Sequence, residues 1–210
     1  MEFTYLIFCI LAAYLCGSVP WSLICSKLGS DIDPRSVGDK NPGATNAWKV
    51  GGWIVGMSAL ILDIGKGLLP VLIIFYLSPF STTSSVGNAI GLACFCAAPI
   101  FGHAYSPFLK FRGGKALATS WGVWIAITGG VALLVGIVVL LGMHLFQKNH
   151  ATTVTICLVA FGLIFALFGS EHIKILWTLN LAIVLFKLRK DYTLGSGFRP
   201  WIPALYRRFR

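Results

Sequence analysis

Residues 116–147, ALATSWGVWIAITGGVALLVGIVVLLGMHLFQ, run without Asp, Glu, Lys or Arg. A helix crossing the bilayer needs about 17–25 apolar residues, and this run has about 32. It is too long for one crossing and is broken near its middle by Gly129-Gly130. Paired glycines are where a helix stops. The run is therefore expected to form two segments, the first (116–128) short enough to be tilted or to span incompletely.

Other apolar runs flank it, at 3–26, 53–77, 86–101, 149–170 and 173–186. The whole chain is 57% hydrophobic and only 11% charged. Soluble domains carry about 25% charged residues, so there is too little polar surface here to face water. Met1-Glu2 lacks the basic flank of a cleavable signal, so the first segment is expected to stay as a helix. The six cysteines lie within apolar stretches, without zinc spacing, and read as small packing residues.

The formal charge is +10, concentrated beside the apolar runs. That pattern suits anionic membrane lipid better than nucleic acid, which is not expected as a partner. Lys27, Arg35, Lys40 and Lys49 fill the first polar loop, and Lys110, Arg112 and Lys115 the second. The turn 78–85 between them has no basic residue, whereas the tail carries Lys187, Arg189, Lys190, Arg199, Arg207, Arg208 and Arg210. Basic loops stay cytoplasmic. Splitting the 116–147 run restores parity between the loops and the tail. The expectation is one all-α domain over 1–210, a polytopic bundle of seven transmembrane segments. Its N-terminus is out, its C-terminus is in, and the basic tail 187–210 is cytoplasmic.

Three polar features interrupt this frame. Residues 31–46, DIDPRSVGDKNPGATN, combine glycines, amides, a hydroxyl and cations beside the membrane. That mixture suits an anion, since glycine admits close backbone approach and the side chains donate hydrogen bonds; a plain solvated loop is the competing reading. Arg112-Gly-Gly-Lys115 precedes an apolar helix whose N-terminal N–H groups are also suited to an anion. It is not a Walker loop, because Ala116 replaces the required Ser/Thr, and topogenic charge alone would also explain it. Asp63 and Lys66, spaced i, i+3 in an apolar run, can pair on one helix face.

With these motifs in view, the sequence resembles the PlsY family, the membrane acyl-phosphate:glycerol-3-phosphate acyltransferases. The matching stretches are Gly17-Ser-Val-Pro20, Asp33 to Asn46, Leu62-Asp-Ile-Gly-Lys-Gly67, and Gly102-His103 through Arg112-Gly-Gly-Lys115 to Ala118-Thr119. The resemblance implies acyl transfer from acyl phosphate to the 1-hydroxyl of glycerol 3-phosphate, giving lysophosphatidic acid and phosphate. It implies no cofactor or metal, and a cell-membrane protein with its active site on the cytoplasmic face. By position it assigns Lys115, His103 and Asn46 to catalysis. Arg35, Asn41, Gly43, Thr45, Lys49, Arg112, Gly113, Gly114 and Thr119 would bind substrate.

Several positions depart from the family pattern. Asp39 stands where a Ser is usual, Lys49 where an Arg is usual, and Leu188 and Asp191 where a His and an Asn are usual. If the site takes phosphate, Asp39 must be neutralised by Lys40 or Lys49, or turned away. A catalytically silent or substrate-shifted member is the alternative, and a transporter for a small phosphorylated solute a more remote one.

Overall fold

The computed structural model describes residues 3–77, 86–192, 197 and 199. The expected external turn at 78–85 and Arg207, Arg208 and Arg210 of the expected tail lie outside these residues. Every element among the described residues is helical.

The first apolar run, expected to be one helix over 3–26, is two: α1 (Phe3–Ser18) and α2 (Trp21–Gly29). Pro20 separates them, because proline lacks an N–H and disfavours helical geometry in the residue before it. The break frees two carbonyls. Ser106 Oγ donates to Ser18 O (2.6 Å) and Lys66 Nζ donates to Val19 O (2.7 Å), so neither is left bare.

Next comes α3 (Ala44–Leu77), which is also two helices: Gly52 (φ 73°, ψ −171°) kinks it. Only glycine takes that backbone easily. The kink places residues 44–51 over the site as a separate short helix, while the long apolar part begins at Trp53, as expected.

The central helix is α4 (Val86–Ala104), packed between α1 and α8 (Glu171–Leu188). A Cβ on Gly17 would sit 2.2 Å from Pro99 O, and one on Gly102 would sit 2.2 Å from Tyr14 O. Small residues thus let α1 and α4 touch backbone to backbone, which is how helices pack without a hydrophobic driving force.

The long charge-free run breaks where expected. α5 (Leu117–Thr128) and α6 (Val131–Phe146) meet at Gly129 (φ 59°) and Gly130 (φ 92°). With 12 residues, α5 is about 18 Å long at 1.5 Å per residue, well short of a hydrocarbon core of about 30 Å. It lies against α3 through Gly122, whose Cβ would meet Ile64 O at 2.0 Å, and through Gly67, whose Cβ would meet Thr119 O at 2.2 Å.

α7 (His150–Phe168) follows, its first turn capped by Asn149, whose side chain accepts from the Thr152 N–H. Among the described residues four stretches, Phe3–Gly29, Ala44–Phe75, Gly87–Leu109 and His150–Phe168, are long and apolar enough to cross a membrane. Ile61, Leu69, Leu134, Val138, Leu163 and Leu167 project from the helices largely exposed. So wide an apolar surface fits a lipid environment and not water. All six cysteines are free thiols, with Cys9, Cys96 and Cys157 buried and Cys16, Cys25 and Cys94 half-buried.

Candidate active site

The first loop is shaped by hydrogen bonds to its own side chains. Asp33 caps the 3-10 turn Pro34–Ser36 and also holds the Arg35 guanidinium, with Nη2 to Oδ2 at 2.6 Å. Farther on the chain wraps around Asn46, which the first turn of α3 presents. Asn46 Nδ2 reaches Val37 O (3.1 Å), Asn41 O (3.0 Å) and Asp39 Oδ1 (2.8 Å). Gly38 (φ 57°) faces Asn46 Oδ1 and Lys49 Nζ, each under 2.8 Å from where a Cβ would stand. A side chain there would displace both.

In the second loop Gly113 and Gly114, which the resemblance assigns to substrate binding, pack against the end of α4. Gly114 donates its N–H to His103 O (3.1 Å). Gly113 lies on the carbonyls of His103 and Ala104, and Gly114 on the His103 ring. Lys187 Nζ ties this seam from the end of α8, donating to Ala104 O (2.7 Å) and Gly113 O (2.8 Å). Gly113 and Gly114 therefore hold the loop against α4, and the loop's cation, Lys115, projects beyond them.

Lys115 Nζ is the meeting point of three segments. It lies 2.5 Å from Asp39 Oδ2 and 2.8 Å from Asp191 Oδ2, the latter just past α8. The sequence reading expected Lys40 or Lys49 to neutralise Asp39; the partner is Lys115. Burial would raise the Asp39 pKa, but hydrogen bonds from Lys115, Asn46 and the Asn41 N–H outweigh it and hold the carboxyl below its ordinary value. Burial would likewise lower the Lys115 pKa, yet the Asp191 and Asp39 hydrogen bonds leave it raised.

These groups open into a cavity of about 920 Å³. Its polar lining comes from loops and helix ends: Asp39, Asn41, Asn46, Lys49, Lys115, Lys148, Asn149, His150 and Asp191. The apolar lining comes from helix flanks, with Trp121 and Trp124 of α5, Leu140 of α6, and Val154, Leu158 and Phe161 of α7. Trp124 is fixed by donating Nε1–H to Asn180 Oδ1 (2.9 Å), and Asn180 Nδ2 donates to Ser120 Oγ (2.8 Å). The tail returns to the same place: the Lys148 N–H donates to Gly197 O, and Gly197 joins the lining.

A buried polar group stands in the wall. Asp63 Oδ1 pairs with Lys66 Nζ at 2.8 Å, as the i, i+3 spacing suggests, and His103 Nδ1 is 3.7 Å from the same oxygen. Ser22 Oγ donates to Asp63 Oδ2 (3.1 Å). Asp63 and His103 both reach the cavity.

Of the residues singled out in the sequence, Lys115, His103, Asn46, Asn41, Gly43, Thr45 and Lys49 share this lining. Arg35 does not; it is closed on Asp33. Arg112 is exposed and outside the lining, and Thr119 is fully buried where α3 meets α5. Sequence reasoning missed Lys148, Asn149 and His150, and took Asp191 only as a departure. Nothing local marks Asp191 as a partner of a lysine 76 residues earlier in the chain. Among the described residues no three His, Cys, Asp or Glu side chains gather as metal ligands.

Residues 7–193 match the family described as glycerol-3-phosphate acyltransferase. Glycerol-3-phosphate acyltransferase 1 of Thermotoga maritima is 40% identical over 121 residues, which is 58% of this chain and 57% of that protein. The Desulfovibrio desulfuricans enzyme of the same description is 39% identical over 115 residues, 55% of this chain and 48% of its own length. The match thus spans about half the length of these relatives. Over nearly the whole chain, the fold is similar to the crystal structure of PlsY, an integral membrane glycerol 3-phosphate acyltransferase, in its glycerol 3-phosphate form. There the TM-score is 0.77 at 25% identity, covering 96% of this chain and 99% of the other. The lysophosphatidic acid form of that protein gives 0.76 at 26% identity, covering 89% of each.

Proposed function

The chain belongs to the glycerol-3-phosphate acyltransferase family, and on that premise we propose that it is a membrane enzyme moving a fatty acyl group from acyl phosphate to glycerol 3-phosphate. The observation that carries this reading is one cavity with two linings. Amides and lysines from the loops share it with Trp121, Trp124, Leu158 and Phe161. An amphiphile with a phosphate and a hydrocarbon chain matches both at once.

An acyl phosphate is already activated, so the protein's task is to hold two anions and align them. Lys115 and Lys49 receive phosphate oxygens, assisted by Asn41 and Thr45. Asn46 keeps the first loop in shape. His103, backed by Asp63, orients the acceptor from the wall. The 1-hydroxyl oxygen of glycerol 3-phosphate attacks the acyl carbonyl, and the carbonyl–phosphate bond breaks. The hydroxyl proton passes to an oxygen of the departing phosphate. Lysophosphatidic acid and inorganic phosphate result, with no separate protein base required.

Seven crossings, N-terminus out and C-terminus in, place both basic loops on the cytoplasmic face of the cell membrane in this reading. Residues 1–210 act as one domain with its basic tail, 187–210, on that face. A binding member without turnover is the second reading, favoured by the grip of two carboxylates on Lys115. Purified protein given acyl phosphate and glycerol 3-phosphate should release lysophosphatidic acid, detected by mass spectrometry, while acyl-CoA in place of acyl phosphate should not support it. Product from acyl-CoA, or none from acyl phosphate, would overturn the proposed reaction.

A further inference from the structure

A lysine set to receive phosphate is already occupied twice. Asp39 and Asp191 arrive from opposite ends of the chain and both reach Lys115 Nζ. Each is held in place by contacts of its own. Asp39 Oδ1 accepts from Asn46 Nδ2 (2.8 Å) and the Asn41 N–H (3.2 Å). The Asp191 N–H donates to Leu188 O (2.7 Å), and Asn149 Nδ2 donates to Asp191 O (3.1 Å).

The pairing over-neutralises the lysine, since one carboxylate already cancels its charge and a second leaves the trio negative. Across the cavity lining, Asp63 is already paired with Lys66, and Asp39 and Asp191 offset two of the three lysines Lys49, Lys115 and Lys148. An arriving phosphate therefore finds most of the positive charge offset and must compete with carboxylates for Lys115. Stability is a weak explanation for this arrangement. Partly exposed ion pairs contribute little to folding, and a like-charged second partner works against the first.

We propose that Asp39 and Asp191 are a carboxylate clamp that sets how tightly the site holds a phosphate group, weakening that grip and determining its selectivity for phosphorylated ligands. The clamp rests on the acyl-transfer reading above. Phosphate appears on the donor, the acceptor and both products, so the clamp keeps substrates displaceable and lets inorganic phosphate leave. Asp39 and Asp191 are positioning residues here: they act through Lys115 and touch no reacting atom.

The test compares Asp191→Asn and Asp39→Asn with Asp191→Glu in detergent-purified protein. KM values for glycerol 3-phosphate and for acyl phosphate are measured separately. The Kd for inorganic phosphate is read from the fluorescence of the cavity tryptophans. Each Asn variant should bind inorganic phosphate about tenfold more tightly, the equivalent of about 1.4 kcal/mol. Whichever KM falls with it identifies the phosphate that Lys115 receives. Asp191→Glu keeps the charge and should stay near the parent protein; a purely structural bridge would not separate Asn from Glu in this way. Unchanged or weaker phosphate binding in the Asn variants would overturn the proposal, and so would failure of Asp191→Asn to fold. Absence of lysophosphatidic acid formation by the parent protein would remove the acyl-transfer reading alone, because the phosphate titration needs no turnover.

Discussion

Lys115 Nζ joins the first loop, the second loop and the end of α8 through two short ion pairs. Replacing it with Ala removes a charge-assisted phosphate contact worth about 1.5–3 kcal/mol. Lys115→Ala should therefore lower kcat/KM for acyl transfer roughly 10- to 150-fold, measured as lysophosphatidic acid formed per enzyme. Unchanged kinetics would return the second loop to a purely topogenic role. The pairs also define a pH window. Asp39 has a lowered folded pKa, so its contribution to stability is present above the ordinary carboxylate value of 3.8 and is lost as pH falls through the lower folded value. Lys115 has a raised folded pKa, so its contribution is present below 10.5 and is lost as pH rises through the higher one. Thermal melts of the parent protein and Lys115→Ala should keep a constant offset between about pH 5 and pH 9 and converge in acid. A varying offset inside that window would mean that other groups control it. Local signals made much of this site legible: the i, i+3 spacing exposed the Asp63–Lys66 pair, and the amides of the first loop pointed to Asn46. No such signal existed for Asp191, or for Lys187 reaching the carbonyls of Ala104 and Gly113, because those pairings arise only when α8 docks on α4.

Individual helices are limited by where their backbones approach one another. Gly122 brings α5 so near α3 that a Cβ would stand 2.0 Å from Ile64 O, an atom of helical backbone that cannot yield. Gly142, on α6, has nothing within 4 Å of its would-be Cβ. Gly122→Val should thus overpack the α3–α5 seam and destabilise by about 1–3 kcal/mol or more. Gly142→Ala should be neutral or stabilise by about 0.5–1 kcal/mol, through helix propensity. Unfolding temperatures in detergent check the pair; equal effects would mean that the seam is not tightly packed. The sequence announced the α5–α6 break through length and paired glycines, because a charge-free run cannot cross twice without a turn. It also held the signal for the α1–α2 break, Pro20 and the residue before it, but continuous hydropathy over 3–26 concealed it. Hydropathy registers solvent preference and is blind to a backbone break whose carbonyls are capped from distant segments, here by Ser106 and Lys66.

At the scale of the whole molecule, charge and length give different information about the membrane. Among the described residues helix length marks four stretches as able to cross, whereas the expectation drawn from the distribution of Lys and Arg is seven crossings. The difference lies in α5, α6 and α8. α5 has only 12 residues, and α6 only 16. α8 carries Glu171, Lys174 and Lys187, with Lys174 paired to Glu171 at 2.9 Å near one end and Lys187 at the other. A span with its charges at its ends is still compatible with a bilayer, since long cationic side chains snorkel to the interface. Two short helices joined by Gly129-Gly130 can also return the chain to its starting side, the deficit being met by tilt or local thinning. If charge governs, Lys110, Arg112 and Lys115 share a side with Lys148 and Lys187, and that side holds the mouth of the cavity. A reporter inserted at Thr82-Thr83 should then read external, and one fused after Arg210 cytoplasmic. Both reporters on one side would make the number of crossings between them even and the seven-segment arrangement wrong. A further reporter at Gly129-Gly130 distinguishes full crossing from re-entry: external labelling means that α5 and α6 traverse the bilayer as a pair, and protection from label on both sides means that they dip in and turn back within it. The second outcome would leave Lys115 and the cavity lysines cytoplasmic, because α5 and α6 together change the side of the chain by zero in either case.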